Sequence, residues 1–313
     1  MSREVILLPR KIDWMLQDRS DDLKTIMSDN GAFIAFPQLG SQVSQVTVYG
    51  DQRSPIQRTT KSLMGLAVHI YIATFWLLPL GYNALMPPPS LNPNQVSATL
   101  EAIVRHCDVE AIYKKNLFEF HGLEADVRAA IAMLREMDVV KLFGHEIHFQ
   151  IELATEHRDF ISGKKNGKIN KIMQNTSVNM KFETFNDYNF LISVQGNDKT
   201  ALQGLSFLQE ELPAEISFHV PEIYHKRIIG VGGKNIQKIM KRFGTFVKFS
   251  NAEEYASLGG YHNNDDNVLA RTPTKNAINL ENLRLAIMEL VHQKVSRFVL
   301  LYSQYSSLIS CVG

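Results

Sequence analysis

The sequence has few cysteines, and they lack a metal-binding spacing. Cys107 and Cys311 are the two cysteines among 313 residues, and neither belongs to a CxxC motif or to a cluster with histidine. A disulfide framework or a structural zinc site needs a set of suitably spaced thiols. We therefore predict neither, and we expect no bound metal, no cofactor and a reducing compartment.

The sequence also lacks an excess of charge of either sign. It carries 33 Lys and Arg against 32 Asp and Glu, which gives a net charge of +1. A protein that coats nucleic acid over its whole surface would be strongly basic, so any nucleic-acid site must be local. The hydrophobic content of 45% is typical of a folded protein, and the length predicts several domains or an array of smaller units.

Charged residues are missing from positions 62–97, where Leu63 to Leu80 is apolar enough to suggest a transmembrane helix. Polar or helix-breaking residues interrupt that stretch, namely Gly65, His69, Thr74 and Pro79. We interpret it as a buried helix followed by a buried strand and expect no membrane span. The charged N-terminal residues likewise predict no export signal.

The sequence does contain an internal repeat. Residues 157–183 and 225–250 align without gaps when Ile236 is placed on Ile169, and a third copy follows when Leu23 is placed on Ile236. A weaker fourth copy has Leu100, Ile103 and Val104 as its helix stripe and residues 109–113 as its strand. Repeats of this kind indicate an array of similar units.

Each unit is predicted to run strand, helix, loop, helix, strand, strand, helix. Alternating apolar residues predict the strands, and apolar residues three and four apart predict the last helices, at 56–71, 124–137 and 199–212 in the first three units. We predict an α+β fold in which each unit is a three-stranded sheet with three helices on one face. The predicted boundaries are 1–72, 73–141, 145–213 and 214–295, with an exposed insertion at 253–264 and a tail at 296–313 that resembles another first strand.

The loop of unit four has a distinctive pattern. Residues 228–236 read IIGVGGKNI, with Gly230 and Gly233 between two predicted helices. This run resembles the I-I-G-x-x-G-x-x-I pattern of K-homology (KH) domains of the eukaryotic type, called type I. The array is similar to the multi-KH proteins of the vigilin and Bicaudal-C kind, and the resemblance implies four tandem type I KH units that bind single-stranded nucleic acid.

The chemistry of this loop suits a phosphate backbone. Glycines allow a tight turn, so that backbone N–H groups and a helix N-terminus can approach phosphates closely. The residues that we expect to bind RNA in unit four are Lys226, Arg227, Ile229, Gly230, Val231, Gly232, Gly233, Lys234, Asn235, Lys238 and Lys248. Bases would lie in an apolar groove, for which Ile229, Ile239, Val247 and Phe249 are candidates, and we expect alternating positions to face the core in part. The alternative is that Gly230 and Gly233 only form a turn between two helices, and that the lysines around them are a solvent-exposed surface that binds no nucleic acid.

Unit three departs from the pattern, since the alignment places Asn166 on Gly233. Asn tolerates left-handed backbone angles, so we expect the loop to keep its shape. The expected RNA-binding residues of unit three are Gly163, Lys164, Lys165, Asn166 and Lys168. A purely structural role for this loop is the alternative, because the Asn side chain would crowd a phosphate more than Gly does.

Units one and two lack the glycine loop. Unit one has Gln17 to Ser20 at the loop position, followed by Asp21 and Asp22, which would repel phosphate. Unit two has a linker with three successive prolines at 87–89, which predicts a stiff, extended connection. We expect these two units to pack against other parts of the protein or to bind protein partners.

An enzymatic function is not predicted. His145 and His148 are three residues apart, whereas the HExxH zinc motif needs four, and the segment has the pattern of a strand. We therefore predict a non-enzymatic, cytoplasmic protein that binds single-stranded RNA in post-transcriptional regulation of mRNA. The alternative is a protein-interaction or oligomerisation scaffold, and single-stranded DNA is the other nucleic acid that the loop would accept.

Overall fold

The computed structural model describes residues 1–79, 91–250 and 266–291. The chain divides into two compact parts, the N-terminal part Met1–Gln209 and the C-terminal part Glu210–Gly313. None of the helices among the described residues is long and apolar enough to cross a membrane.

Unit one begins the N-terminal part. It consists of β1 (Ser2–Ile6), α1 (Pro9–Asp18), α2 (Ser20–Asn30), β2 (Ala32–Ala35), β3 (Gln45–Gly50) and α3 (Arg53–Ala67). The strands form an antiparallel sheet in the order β1-β3-β2. The alternating apolar residues of β1 and β3 face the helices, and Val5, Val46 and Val48 are buried.

Units two and three complete the N-terminal part. Unit two has β4 (Ile70–Leu78), α4 (Pro93–His106), β5 (Val109–Lys114), β6 (Leu117–Leu123), α5 (Glu124–Glu136) and the short α6 (Asp138–Lys141). Unit three has β7 (Gly144–Ala154), α7 (Arg158–Ser162), α8 (Gly167–Thr176), β8 (Asn179–Thr184), β9 (Asn189–Gly196) and α9 (Asp198–Glu211).

The sheets of these two units are continuous, so the prediction of a separate three-stranded sheet for each was wrong. The strands form one six-stranded sheet in the order β5-β6-β4-β7-β9-β8. Strands β4 and β7 pair antiparallel from Ile72 opposite Gln150 to Leu78 opposite Gly144. Arg128 of α5 adds hydrogen bonds from Nη1 to Ser206 Oγ (3.0 Å) and from Nη2 to Gln209 Oε1 (2.6 Å) of α9. Edge pairing satisfies backbone groups that two separate sheets would leave exposed.

Unit one is attached to unit three by a buried polar cluster. The Lys11 ammonium of α1 lies 2.5 Å from the Glu152 carboxylate of β7 and donates to the carbonyl of Ala67 at 2.8 Å. Asn189 Nδ2 of β9 donates to the other oxygen of Glu152 at 2.7 Å. Lys11 and Glu152 have side-chain exposures of 1% and 0%, so each charge depends on the other. Burial lowers the pKa of Lys11, while Glu152 opposes that shift.

The C-terminal part contains unit four. Its elements are β10 (Pro213–Phe218), α10 (Glu222–Ile229), α11 (Lys234–Phe243), β11 (Phe246–Phe249), β12 (Val268–Pro273) and a further helix, α12, whose described residues are 278–291. The antiparallel sheet has the order β10-β12-β11. Buried residues from all three helices cover it, among them Ile228, Ile236, Leu283 and Ile287. The insertion predicted at 253–264 and the tail at 296–313 lie outside the described residues.

The helix predicted over 56–71 extends too far. Helix α3 ends at Ala67 and β4 begins at Ile70, so the predicted boundary between residues 72 and 73 falls inside a strand. Apolar periodicity alone does not separate the end of a buried helix from the start of a buried strand.

The buried face of α4 also differs from the prediction. Val104, which was predicted to lie on that face, is 50% exposed, and Thr99 is buried.

The aligned repeats share fine structural details. The backbone N–H groups of Ile34, Met180 and Val247 each contact the sulfur of the aligned methionine, Met27, Met173 or Met240, at 3.3 to 3.4 Å. The residue after the second helix has a positive φ in each copy, at Gly31, Ser177 and Gly244. The alignment therefore places equivalent atoms together in units one, three and four.

Candidate nucleic-acid interface

The glycine loop of unit four has a backbone path that ordinary residues rarely adopt. Gly230 has φ 73° and ψ 171°, Gly232 has φ 60° and ψ 24°, and Gly233 has φ 74° and ψ 9°. The N–H of Gly230 donates to the Lys226 carbonyl at 3.0 Å, and that of Gly233 donates to the Gly230 carbonyl at 3.1 Å. Helix α11 begins directly afterwards at Lys234, so the first amides of the helix lie beside the loop.

Asn235 fixes this loop from behind. Its Nδ2 donates to the Arg227 carbonyl, the last turn of α10, at 3.2 Å. A Cβ atom at position 230 would lie 2.7 Å from the Asn235 side chain, a distance that real Cβ atoms do not show. Asn235, expected to bind RNA, therefore has a role inside the protein that holds the two helices together.

The loop of unit three has the same shape with different residues. Gly163 has φ 69° and ψ 178°, Lys165 has φ 52° and ψ 38°, and Asn166 has φ 57° and ψ 24°. The N–H of Asn166 donates to the Gly163 carbonyl at 3.1 Å, as Gly233 does to Gly230. The expectation that Asn166 takes the place of Gly233 and keeps the loop shape is confirmed, and Gly167 is an ordinary helical residue with φ −61°.

Lys168 has the structural role of Asn235. Its Nζ donates to the Phe160 carbonyl at 3.1 Å, and the same ammonium lies 4.5 Å from the centre of the Phe160 ring. The aligned positions thus make the same contact across the loop with an amide in one unit and an ammonium in the other. The Lys168 charge is engaged there, whereas Lys164 and Lys165 are exposed.

The lysines and arginine around the unit four loop form an open basic surface. Lys226, Arg227, Lys234 and Lys238 are exposed. Within the part of the chain that the structure describes, none of these four side chains forms an ion pair. Lys248 differs, because on β11 it alternates with the buried Val247 and so lies on the strand face turned away from the helices.

The expected apolar groove is smaller than the sequence suggested. Val247 is only 7% exposed and belongs to the core, so its assignment to the groove was wrong. Ile229, Ile239 and Phe249 are half-buried against that core. The rings of His225 and Phe249 meet edge to face at 5.0 Å, and unit three has the aligned contact of Arg158 over Phe182 at 5.7 Å. These contacts were not recognised in the sequence.

Units one and two lack this loop, as far as the structure describes them. In unit one, Arg19 alone separates α1 from α2, and Asp21 and Asp22 occupy the first turn of α2. In unit two, the proline linker lies mostly outside the described residues. Helix α4 starts after Asn92, whose side chain accepts from the N–H of Asn94 at 2.8 Å.

Three stretches of the chain match models of KH domains. Residues 2–71 match the model described as Mug60/KHD4 KH type I domain, residues 143–203 match YLL032C fifth KH domain-like, and residues 217–291 match YLL032C fourth KH domain-containing protein. The matches support a multi-KH protein. KH domains in general bind RNA or single-stranded DNA, so a nucleic-acid-binding role is supported as well. The mixed helices and sheets fit the α+β KH fold.

Two relatives extend this similarity. K homology domain-containing protein 4 of Mycosarcoma maydis is 60% identical over 302 residues, which cover 96% of this chain and 21% of that protein. Meiotically up-regulated gene 60 protein of Schizosaccharomyces pombe is 33% identical over 62% of this chain and 29% of that protein. The chain thus spans less than a third of either relative. A solved structure described as KH domains aligns at 14% identity with a TM-score of 0.43, over 92% of this chain and 82% of that one.

Proposed function

We propose that the chain is a non-enzymatic protein that binds single-stranded RNA through the loops of units four and three. The observation that carries the proposal is the similar backbone path of the two loops, each beside exposed lysines that form no ion pair with the described residues. Backbone N–H groups at a tight turn before a helix can hold phosphates closely. Four tandem type I KH units of the vigilin and Bicaudal-C kind, and a cytoplasmic role in mRNA regulation, extend the proposal on the basis of the sequence resemblance.

Unit four is proposed as the principal site. Its loop is exposed, with Val231 89% accessible, and a Cβ at Gly232 would meet nothing within 4 Å, so a phosphate has open space beside the Gly232 backbone. In unit three the aligned residues are Lys164 and Lys165, which add charge but also bulk at the same place. We therefore propose that unit three is an accessory site.

The test is the binding of a labelled, sequence-degenerate single-stranded RNA to the double variant Val231→Asp, Gly232→Asp. Two carboxylates about 4 Å from phosphate cost about 1 kcal/mol each even in water, which predicts an affinity loss of about tenfold or more. The matched control is Val231→Asn, Gly232→Asn, which introduces side chains of the same size without charge. Circular dichroism checks that all three proteins are folded.

The outcomes separate the alternatives. An affinity that falls in the Asp variant but not in the Asn variant supports the phosphate contact. Equal binding by all three would contradict it, and the changes Lys164→Asp and Lys165→Asp would then show whether unit three carries the binding. If those changes also have no effect, the protein-interaction scaffold becomes the better function. Competition with a matched DNA oligomer distinguishes RNA from single-stranded DNA.

A further inference from the structure

A large exposed side chain lies on the six-stranded sheet of the N-terminal part, in the unit whose described residues contain no glycine loop. Trp76 of β4 is 42% exposed, whereas Phe75 and Leu77 on either side of it are buried. Successive side chains of a strand point to opposite faces, so Phe75 and Leu77 face the core beneath α5 and Trp76 faces away from it. Tryptophan is enriched at binding surfaces, because its ring buries a large area on contact.

The register of the strands gives the neighbours of Trp76 on this open face of the sheet. Leu117 of β6 lies directly opposite Trp76, and Lys114 of β5 lies opposite Leu117. On the other side, Glu146 of β7 lies opposite Trp76. Directly opposite residues of antiparallel strands share a face. A row of side chains, here called the Trp76 row, therefore runs from Lys114 to Glu146 over three strand spacings, or about 14 Å.

The positive charges at the β5 end of the Trp76 row are open to a ligand. Lys114 and Lys115 are exposed, and neither forms an ion pair with another residue that the structure describes. Lys115 and Asn116 have positive φ angles of 51° and 62° and form the two-residue hairpin turn between β5 and β6. The turn places both lysines at one corner of the sheet, beside the same end of the row.

The carboxylates on the same face are engaged by neighbouring side chains. Glu146 accepts a hydrogen bond from the Gln195 amide, and Glu119, in the next row, lies 2.6 Å from His121 Nε2. The hydrogen bond with His121 lowers the pKa of Glu119, so this carboxyl is ionised near pH 7. A phosphate backbone would avoid Glu146 and would lie on the β5 side of the indole, where the lysines are.

Unit one has exposed aromatic rings on the open face of its own sheet, but the charges beside them have the opposite sign. Phe33 of β2 lies opposite Tyr49 of β3, and the two are 61% and 47% exposed. Glu4 of β1 lies one row along on the same face, and Asp51 follows β3 directly. These acids would repel a phosphate. Unit one therefore provides an internal control, with exposed rings and no lysines beside them on that face.

We propose that the Trp76 row is a further binding site for single-stranded RNA, in which a base stacks on the Trp76 ring and a neighbouring phosphate contacts Lys114 and Lys115. Sites for single strands combine aromatic rings with basic side chains in this way, and stacking accepts any base. Two unpaired lysines beside the indole favour a polyanion over a protein partner. The proposal rests on the proposed binding of RNA by this chain, but none of its residues belongs to the loops of units three and four.

The test uses intrinsic fluorescence, because Trp14 and Trp76 are the two tryptophans of the chain. Titration of the full chain with a sequence-degenerate single-stranded RNA should quench the emission saturably, since a stacked base quenches an indole. Trp76→Phe retains Trp14 and should remove the quenching. An abasic oligomer of the same length keeps the phosphates without the bases and should not quench. Quenching by RNA, by a matched DNA oligomer or by both supports stacking and identifies the strand.

The lysines are tested by the RNA concentration at half-maximal quenching. A unit charge about 4 Å from a phosphate contributes about fivefold in affinity even in water, so Lys114→Ala, Lys115→Ala should raise this concentration fivefold or more. Phe33→Ala, the matched control on unit one, should leave it unchanged. Circular dichroism checks that the variants are folded. An unchanged value in the lysine variant, or an equal rise in the Phe33→Ala control, would overturn the proposal.

Failure of this site is distinguishable from failure of the loops. If labelled RNA binds the wild type and is lost in Val231→Asp, Gly232→Asp, but the wild type shows no saturable quenching, the loops stand and the Trp76 site is refuted. If quenching of Trp76 saturates and the loop variant binds RNA as the wild type does, the Trp76 site stands and the loop of unit four is not the principal site. Equal quenching of the wild type and Trp76→Phe would also refute the Trp76 site.

Discussion

The loops of units three and four follow one backbone path with different residues, and the difference separates the positions that need glycine from those that do not. Gly230 and Gly163 both combine φ near 70° with ψ near 180°, a region that essentially only glycine occupies. Counted from that first glycine, the third position (Gly232 and Lys165) and the fourth (Gly233 and Asn166) have left-handed helical angles. Asn and, at some cost, Lys can adopt these angles. Glycine is therefore retained at the first position and replaced at the later two.

The two loops also differ in what supports them. Unit three is part of the N-terminal part, where unit one is attached to it through the buried Lys11 and Glu152 pair. Unit four has its own core of residues from β10 to α12. We therefore expect the loop of unit three to depend on residues far away in the sequence and the loop of unit four to depend on local ones.

The largest expected effect is that of Lys11→Met. The variant leaves the Glu152 carboxylate buried beside Asn189 without its cation, which should lower the free energy of unfolding of the N-terminal part by about 3–5 kcal/mol. Hydrogen exchange followed by mass spectrometry should show lost protection in peptides from Met1–Gln209 and none from Glu210 onward. The double variant Lys11→Met, Glu152→Gln should recover much of the loss, and an unchanged single variant would contradict the role of the pair.

Gly230→Ala should have the next largest effect. Its Cβ would lie 2.7 Å from Asn235 in a backbone region closed to alanine, so we expect a loss of about 1–3 kcal/mol in the stability of unit four and a marked loss of RNA binding. Gly163→Ala should cost less, because its Cβ would meet the flexible Lys168 chain at 2.9 Å. Denaturant unfolding of both variants measures the difference in their free energies of unfolding. Equal losses would mean that the backbone conformation alone, and not the contact of the added Cβ, sets the cost of the substitution.

The sequence predicted the repeat, the order of elements in units one, three and four, and the loop shape of unit three because each rests on local spacing. The Ile236 alignment correctly brought the methionine sulfurs to equivalent N–H groups. The sequence did not predict the pairing of strands β4 and β7 or the ion pair between Lys11 and Glu152, because both join residues that are distant in the chain. The role of Asn235 was also missed, since a short polar side chain beside a phosphate loop suggests a ligand contact as readily as an internal one.

The salt dependence of binding is a smaller, graded test of the two loops. If three to four phosphates are neutralised, the logarithm of the affinity should fall with the logarithm of salt concentration with a slope of about −2 to −3. Lys164→Ala, Lys165→Ala removes two exposed charges from unit three and should reduce the slope by about 1 if that loop contacts the same strand. A slope that does not change would restrict RNA binding to unit four.

The smallest expected effect is that of exchanging the residues at the fourth loop position. Asn166→Gly and Gly233→Asn each place a residue in a left-handed conformation that it tolerates, and the nearest atom to a Cβ at position 233 is Gln237 Nε2 at 3.6 Å. We expect both variants to keep the stability of the wild type within about 0.5 kcal/mol. Their RNA affinities then isolate the steric effect of the Asn side chain, since the backbone is the same. If Gly233→Asn weakens binding and Asn166→Gly strengthens it, crowding at this position explains why unit three is the accessory site. If neither changes, the difference between the units must come from their charges.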